Sequence, residues 1–260
     1  MPLTRTPTSA AGSSPGRFAG GPGSRTALLA SAVCATLLAL AAPAPAAASA
    51  APVPLPRRMA DTGGGEQLIT AVASGTRATT GTVTWWQRRN GGWRRAGSAP
   101  ARFGSGGLAE GRTRVQGTST TPTGLYDLPF AFGTKPAPAG TRSPYRRVGT
   151  GSWWCQDNAS TSYNRWVDPR PRDCAAAEAE RLAGYPVQYG RALVIGFNYR
   201  HPVRGRGAGI FLHVNGKGAT SGCVSVPAGA MARILAWVRP SRHPHIAIGT
   251  THGPTAVTRY

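Results

Sequence analysis

Acidic residues are scarce in this 260-residue chain: nine Asp and Glu stand against thirty Lys and Arg, for a formal charge of +21. Asp127, Asp157, Asp168, Asp173, Glu178 and Glu180 follow residue 120. A glycosidase needs a positioned pair of carboxylates, so that chemistry is poorly supplied. Lysine is scarcer still, with only Lys135 and Lys217, and the basic charge is almost all arginine. There is no HExxH and no CxxC, and His201, His213, His243, His245 and His252 follow no metal-ligand spacing. His243 and His245, flanking Pro244, read as surface histidines. No metal and no cofactor is expected. Beyond the first fifty residues there is also no G-x-S-x-G elbow to present a nucleophilic serine.

Long apolar runs are missing with one exception. Arg5, Arg17 and Arg25 precede TALLASAVCATLLALAA, and the small-residue stretch PAPAAASAAP follows. Basic, apolar and small-residue regions in that order read as a secretory signal over residues 1–50, with Ala48-Ser49-Ala50 as its cleavage site. The run lies at the lower edge of what spans a bilayer, so a retained N-terminal anchor stands as the alternative, and with it the only expected membrane contact. The location expected is extracellular or in the cell envelope. Cys34 is a core residue of the signal.

Only four cysteines are present. Export removes or isolates Cys34 and leaves an odd number in an oxidising compartment, for which one pair and one free thiol is the simplest arrangement. Cys155 and Cys174 bracket a polar, proline-bearing loop with few apolar anchors, and their pairing leaves Cys223 free. The basic charge of an exported protein draws it toward polyanions, including anionic wall polymers. Trp85-Trp86 and Trp153-Trp154 lie near arginines and suit base stacking. No nucleic-acid motif accompanies them and the arginines are scattered, so a solvated basic surface is the preferred reading and no nucleic acid is expected.

Residues 51–65 are rich in Pro, Ala and Gly and read as a linker without a core of its own. Residues 66–260 read as one mainly β domain with a few short helices. QLITAVA, the two arms around Asn90-Gly91-Gly92, ALVIGFNY and GIFLHV are strand candidates. Helices are expected around Glu178 to Ala183 and over PAGAMARILAWV, where Met231, Ile234, Leu235 and Val238 recur at helical spacing.

What remains for chemistry is residues 209–227, GIFLHVNGKGATSGCVSVP. Two short strands joined through Gly216 and Gly218 bring His213 and Cys223 side by side. An imidazole in reach of a thiol lowers its pKa and carries its proton to a leaving amine. Gly222 permits an unusual backbone conformation before the nucleophile, and the N–H groups of Gly222 and Cys223 are candidates to face an oxyanion. A buried structural cysteine is the competing reading of the same spacing.

The stretch resembles the active-site signature of the L,D-transpeptidase (YkuD-type) family, secreted actinobacterial members above all, through His213, Thr220, Ser221, Gly222 and Cys223. TPTGLYDL from Thr121 is similar to a second segment of that family. The resemblance implies a β-sandwich or barrel catalytic domain, a cysteine acyltransferase acting on peptidoglycan stem peptides, 3→3 cross-linking, and acylation by carbapenems. Thr220, Ser221, Ser225 and Asn215 are the candidate substrate contacts. The chain departs from the best-studied members in Val214 after the histidine, a ten-residue step to the cysteine, Ser221 before Gly222, and Ser225. The same site fits an L,D-carboxypeptidase, and a wall-binding module without catalysis is the non-enzyme alternative.

Overall fold

The computed structural model describes residues 52–260. The signal or anchor reading of residues 1–50, Cys34 included, lies outside the described residues. In chain order the strands are β1 (Gln67–Ala73), β2 (Thr80–Arg89), β3 (Gly92–Arg102), β4 (Leu108–Glu110), β5 (Thr121–Asp127), β6 (Ala131–Gly133) and β7 (Tyr145–Arg147). They continue as β8 (Trp153–Cys155), β9 (Arg165–Val167), β10 (Ala179–Arg181), β11 (Ala192–Val194), β12 (Phe211–Val214), β13 (Val224–Val226) and β14 (His245–Thr250). A ten-residue helix, α1 (Ala228–Trp237), follows β13.

Eleven strands form one mixed sheet in the order β4-β5-β14-β1-β2-β3-β13-β12-β11-β6-β7, and β10-β8-β9 form a separate small sheet. The domain is mainly β, as its apolar patterning requires. Strand β1 has both edges paired, with β14 in parallel and β2 antiparallel, and both faces covered by apolar cores. Its side chains alternate between two cores: Ile69, Ala71 and Ala73 join the main one, while Leu68 joins Trp93, Ala247 and Val257. Strands β2 and β3 are joined by Asn90 and Gly91 with φ of 49° and 72°, the double positive φ of a two-residue turn that follows strand twist. Helix α1 begins after Pro227 and buries Ala230, Met231, Ile234 and Leu235 in the main core. The segment carrying the thiol therefore runs directly into the element that anchors the sheet.

Two expectations are corrected. Residues 178–183 do not form a helix. Ala176–Glu178 and Leu182–Gly184 are single 3-10 turns on either side of β10, which pairs with β8 through Glu180 opposite Trp154. Alanine-rich propensity over so short a run yields to the ladder and to the burial of Leu182. Nor is all of 51–65 a free linker. Leu55–Arg58 is a 3-10 turn whose Pro56 is buried, and Leu55 and Met59 pack on the Leu68, Trp93 and Val257 cluster. The N–H groups of Ala60 and Asp61 bond to the carbonyls of Thr258 and Tyr260 at 3.0 and 2.9 Å. The segment has too little apolar surface for a core of its own, but enough to dock on one.

Cys155 and Cys174 are joined by a disulfide across 19 residues, and Cys223 is a buried free thiol. Closing a loop of that length stabilises by about 3 kcal/mol on the chain-entropy account. The double variant Cys155→Ser with Cys174→Ser is expected to lose about that much in urea unfolding. Unchanged stability would show that the small sheet is held by its own packing alone.

Candidate active site

Strands β12 and β13 pair in parallel, with His213 opposite Ser225. The connection between them is thus a return and not a hairpin. A four-residue strand spans roughly 13 Å, whereas nine residues reach up to ~30 Å, so residues 215–223 have length to spare. The spare length forms a wall: Gly216, Lys217, Gly218, Ala219, Thr220 and Ser221 all line a cleft of about 230 Å³ that also exposes His213 and Cys223. Strand β3 and the residues after it hold this wall in place. Arg102 Nη1 donates to the carbonyls of Gly216 and Gly218 at 2.7 and 3.3 Å, and Thr220 N–H donates to the Phe103 carbonyl at 2.9 Å.

The Cys223 carbonyl accepts from two hydroxyls, Thr220 Oγ1 at 2.6 Å and Thr121 Oγ1 at 3.3 Å. Thr121 is itself fully buried and accepts the Gly104 N–H at 2.8 Å. One hydroxyl therefore ties two segments a hundred residues apart. Gly222 takes φ of 133°, and a Cβ there would lie 2.9 Å from the Thr120 carbonyl oxygen and 3.0 Å from Arg114 Nη2, so only glycine fits without strain. Its N–H donates to Thr220 Oγ1 at 3.1 Å.

The thiol lies against backbone. Cys223 Sγ receives the Phe211 N–H at 3.3 Å and donates toward the Gly209 carbonyl at 3.4 Å. Gly209 is fixed in turn by Asn164, whose Oδ1 accepts from both Gly209 N–H and Trp154 Nε1 while its Nδ2 donates to the carbonyls of Phe197 and Asn198. The disulfide-closed loop thus supports the thiol of Cys223 from behind. Burial pushes the thiol up to about 12; the Glu180 carboxylate adds to the rise, and the Phe211 N–H and the Arg114 charge oppose it. The depressed thiol pKa expected from a nearby imidazole is therefore not the resting condition. Burial also lowers His213 to about 4, so its imidazole is neutral at physiological pH and has no charge to offer the thiol.

His213 Nδ1 lies 2.8 Å from the Val214 carbonyl oxygen. A carbonyl only accepts, so this contact assigns the hydrogen to Nδ1 and leaves the lone pair on Nε2. The ring is braced edge-on by Tyr189, with centroids 5.5 Å apart and planes at 89°. Tyr189 donates its hydroxyl to Glu180 Oε1 at 2.8 Å.

Of the residues expected to contact substrate, Thr220 and Ser221 line the cleft. Ser225 and Asn215 do not: Ser225 is fully buried between β3 and β12, and its hydroxyl donates to Asn215 Oδ1 at 2.8 Å. Glu180, Tyr189 and Gln156 line the cleft without having been expected there.

A family model described as the L,D-transpeptidase catalytic domain, YkuD, matches residues 76–251. The chain belongs to the YkuD family. Residues 76–251 are accordingly the L,D-transpeptidase catalytic domain that the family model describes. No curated protein matches it. Among solved structures, Bd1075 of Bdellovibrio bacteriovorus aligns at 15% identity and a TM-score of 0.35 over 71% of this chain and 48% of its own. The chain thus spans about half the length of that protein.

In this YkuD domain the match begins after β1, yet β1 is central to the sheet, so the folded unit is wider than the matched segment. Arg114 is a further residue without a sequence signal of its own. It is buried with no carboxylate beside it, donates through Nε to the Thr120 carbonyl and through Nη1 to the Arg206 carbonyl, and lies beneath Gly222. Burial lowers its pKa, and its charge partly offsets the burial of the thiol.

Thr121→Val keeps the volume and deletes the bridging hydroxyl. It leaves the Gly104 N–H buried without an acceptor, at a cost of roughly 1–3 kcal/mol. Thermal unfolding should register that loss, and Thr121→Ser should restore most of it; equal stability of the valine and wild-type proteins would show that the bridge carries no weight.

Proposed function

We propose that the protein is an exported cysteine acyltransferase that forms 3→3 cross-links between peptidoglycan stem peptides through a thioester on Cys223. The observation that carries this reading is the free thiol of Cys223 and the neutral imidazole of His213, on one cleft wall and with His213 Nδ1 committed to a carbonyl. Because thiol and imidazole are both neutral at rest, proton transfer accompanies attack instead of preceding it. Cys223 Sγ attacks the carbonyl before the terminal D-Ala of a tetrapeptide stem while His213 Nε2 takes the Sγ proton. The imidazolium then protonates the amine nitrogen as the C–N bond breaks and D-Ala leaves. The Cys223 N–H is the donor nearest the developing oxyanion; the Gly222 N–H, bonded to Thr220 Oγ1, joins it only when that bond is shared. An amine of a second stem then resolves the thioester. Export agrees with a disulfide in the same domain, since such bonds persist in oxidising compartments.

Intact-mass measurement after carbapenem treatment tests the nucleophile, and an adduct is expected on the wild type and not on Cys223→Ala. His213→Ala is expected to fold and to lose a factor on the order of 10²–10⁴ in acyl transfer. A thiol pushed to about 12 also predicts that iodoacetamide alkylation climbs about tenfold per pH unit from 7 to 10 with no plateau. An unreactive thiol in the wild type, with Cys223→Ala losing only thermal stability, would instead identify a structural cysteine in a wall-binding module. Release of D-Ala without cross-linked product in the presence of acceptor would identify a carboxypeptidase.

A further inference from the structure

Glu180 is the one carboxyl group lining the cleft, and it reaches there from β10 of the small, disulfide-tethered sheet. Its Oε1 accepts the Tyr189 hydroxyl at 2.8 Å and its Oε2 lies 3.4 Å from Gln156 Nε2. Both partners are neutral. The ion pairs among the described residues are Arg200 with Asp127 and Arg242 with Glu66, so Glu180 has no cation beside it in a chain with thirty basic residues.

For the first half of the reaction this is an adverse arrangement. A carboxylate in the same cleft as the nucleophile raises the thiol pKa and opposes thiolate formation. Acylation alone would be better served by Gln or Leu at this position. The second half differs, because its reactant is a primary amine that arrives as an ammonium ion and cannot attack until it has lost a proton. A carboxylate that lines the cleft and is in no ion pair meets both needs of that step, and Tyr189, held between Glu180 and His213, sets it beside the catalytic pair.

We propose that Glu180 is the ammonium subsite of this cleft: it binds the cationic amine of the acceptor stem peptide beside the Cys223 thioester and takes its first proton. The inference rests on the acyl-enzyme reading above. The protons balance. The ammonium gives one proton to Glu180, which passes it to solvent; the neutral amine attacks the thioester carbonyl, the C–N bond forms and the C–S bond breaks. The second proton goes from the attacking nitrogen through His213 to the departing sulfur, which regenerates the thiol. Burial supports the role by raising the carboxyl to about 7, where it changes charge near neutral pH. The other titratable groups lining the cleft are Tyr185, Tyr189, His213, Lys217 and Cys223. Lys217 lies on the return loop and is not bonded to Glu180.

The test separates the half-reactions with Glu180→Gln, which keeps the shape and an acceptor for Tyr189. Acyl-enzyme is formed on Cys223 with a tetrapeptide donor. It is then partitioned between two nucleophiles, Nα-acetyl-lysine amide, cationic at neutral pH, and hydroxylamine, which is uncharged there. Transfer to the cationic amine is expected to fall about tenfold or more in Glu180→Gln, with little change for hydroxylamine. Acyl-enzyme formation should quicken above pH 7, where the wild-type carboxylate is charged. Tyr189→Phe, which keeps the ring against His213 but frees the carboxylate, is expected to show a smaller loss with the same preference, and it carries the test should Glu180→Gln fail to fold. Equal losses for both nucleophiles, or undiminished transfer to the cationic amine, would overturn the proposal. Absence of any acyl-enzyme in the wild type would overturn the acyltransferase reading itself, which is a separate outcome.

Discussion

The buried hydroxyl of Thr121 is the contact on which the site depends. It accepts the Gly104 N–H and donates to the Cys223 carbonyl, so that the end of the long hairpin, the start of β5 and the nucleophile loop meet at one oxygen. A hydroxyl can do this because it offers one donor and two acceptor positions in a volume little larger than a methyl group. Two more polar contacts surround it: Thr220 Oγ1 on the same Cys223 carbonyl, and Arg114 on the Thr120 carbonyl. One satisfies a carbonyl of the return between β12 and β13 and the other a carbonyl just before β5, and an unpaired buried carbonyl costs about as much as a lost hydrogen bond. The positive φ of Gly222, open to glycine alone, is held because these contacts fix the loop from three sides.

Burial does more for the chemistry than charge does. Cys223 and His213 are both almost fully covered, by the aromatic cluster of Phe132, Trp154, Tyr189 and Phe211. Such surroundings disfavour an ion pair, since each charge would lose its hydration with only a single partner to compensate. The resting site is neutral, with the imidazole oriented by the Val214 carbonyl where many acyl-transfer sites employ a carboxylate. A neutral acceptor orients the ring without strongly raising its basicity. That suits the proposed role of His213, a base that returns its proton to a leaving amine within the same cycle.

The sequence carried much of this. That His213 and Cys223 share a cleft was legible from the two short strands and the glycine-bearing loop between them. The disulfide was legible from cysteine parity once export was assumed, and α1 from the spacing of its apolar residues. The rest depended on distance in the sequence. Glu180 sits in an alanine-rich run whose local preference is helical, and only its pairing with Trp154 in the small sheet turns it toward the cleft. Ser225, a candidate substrate contact by its place two residues after Cys223, is buried because β13 lies inside the sheet, a placement that only the strand order reveals. Arg114 follows a turn with no periodicity, and nothing local indicates that its guanidinium ends beneath Gly222.

The small sheet has a consequence for how such a site is built. Strands β8, β9 and β10 form a sheet of their own and would be marginal alone, since three short strands bury little apolar area. The disulfide at the edge of β8 restricts their unfolded ensemble, and Trp154 docks their inner face onto Phe211 with ring centroids 4.8 Å apart. From that platform Asn164 fixes Gly209 behind the thiol while Glu180 and Gln156 form part of the cleft's lining. The disulfide-closed loop thus supplies Asn164 behind the thiol and Gln156 in the cleft lining, and β10, paired with β8, adds Glu180. Because Asn164 uses all four of its hydrogen-bonding positions within the protein, that support stays rigid. The lining residues of the same platform act on Cys223 through charge, Glu180 by raising its thiol pKa, and not through its backbone position.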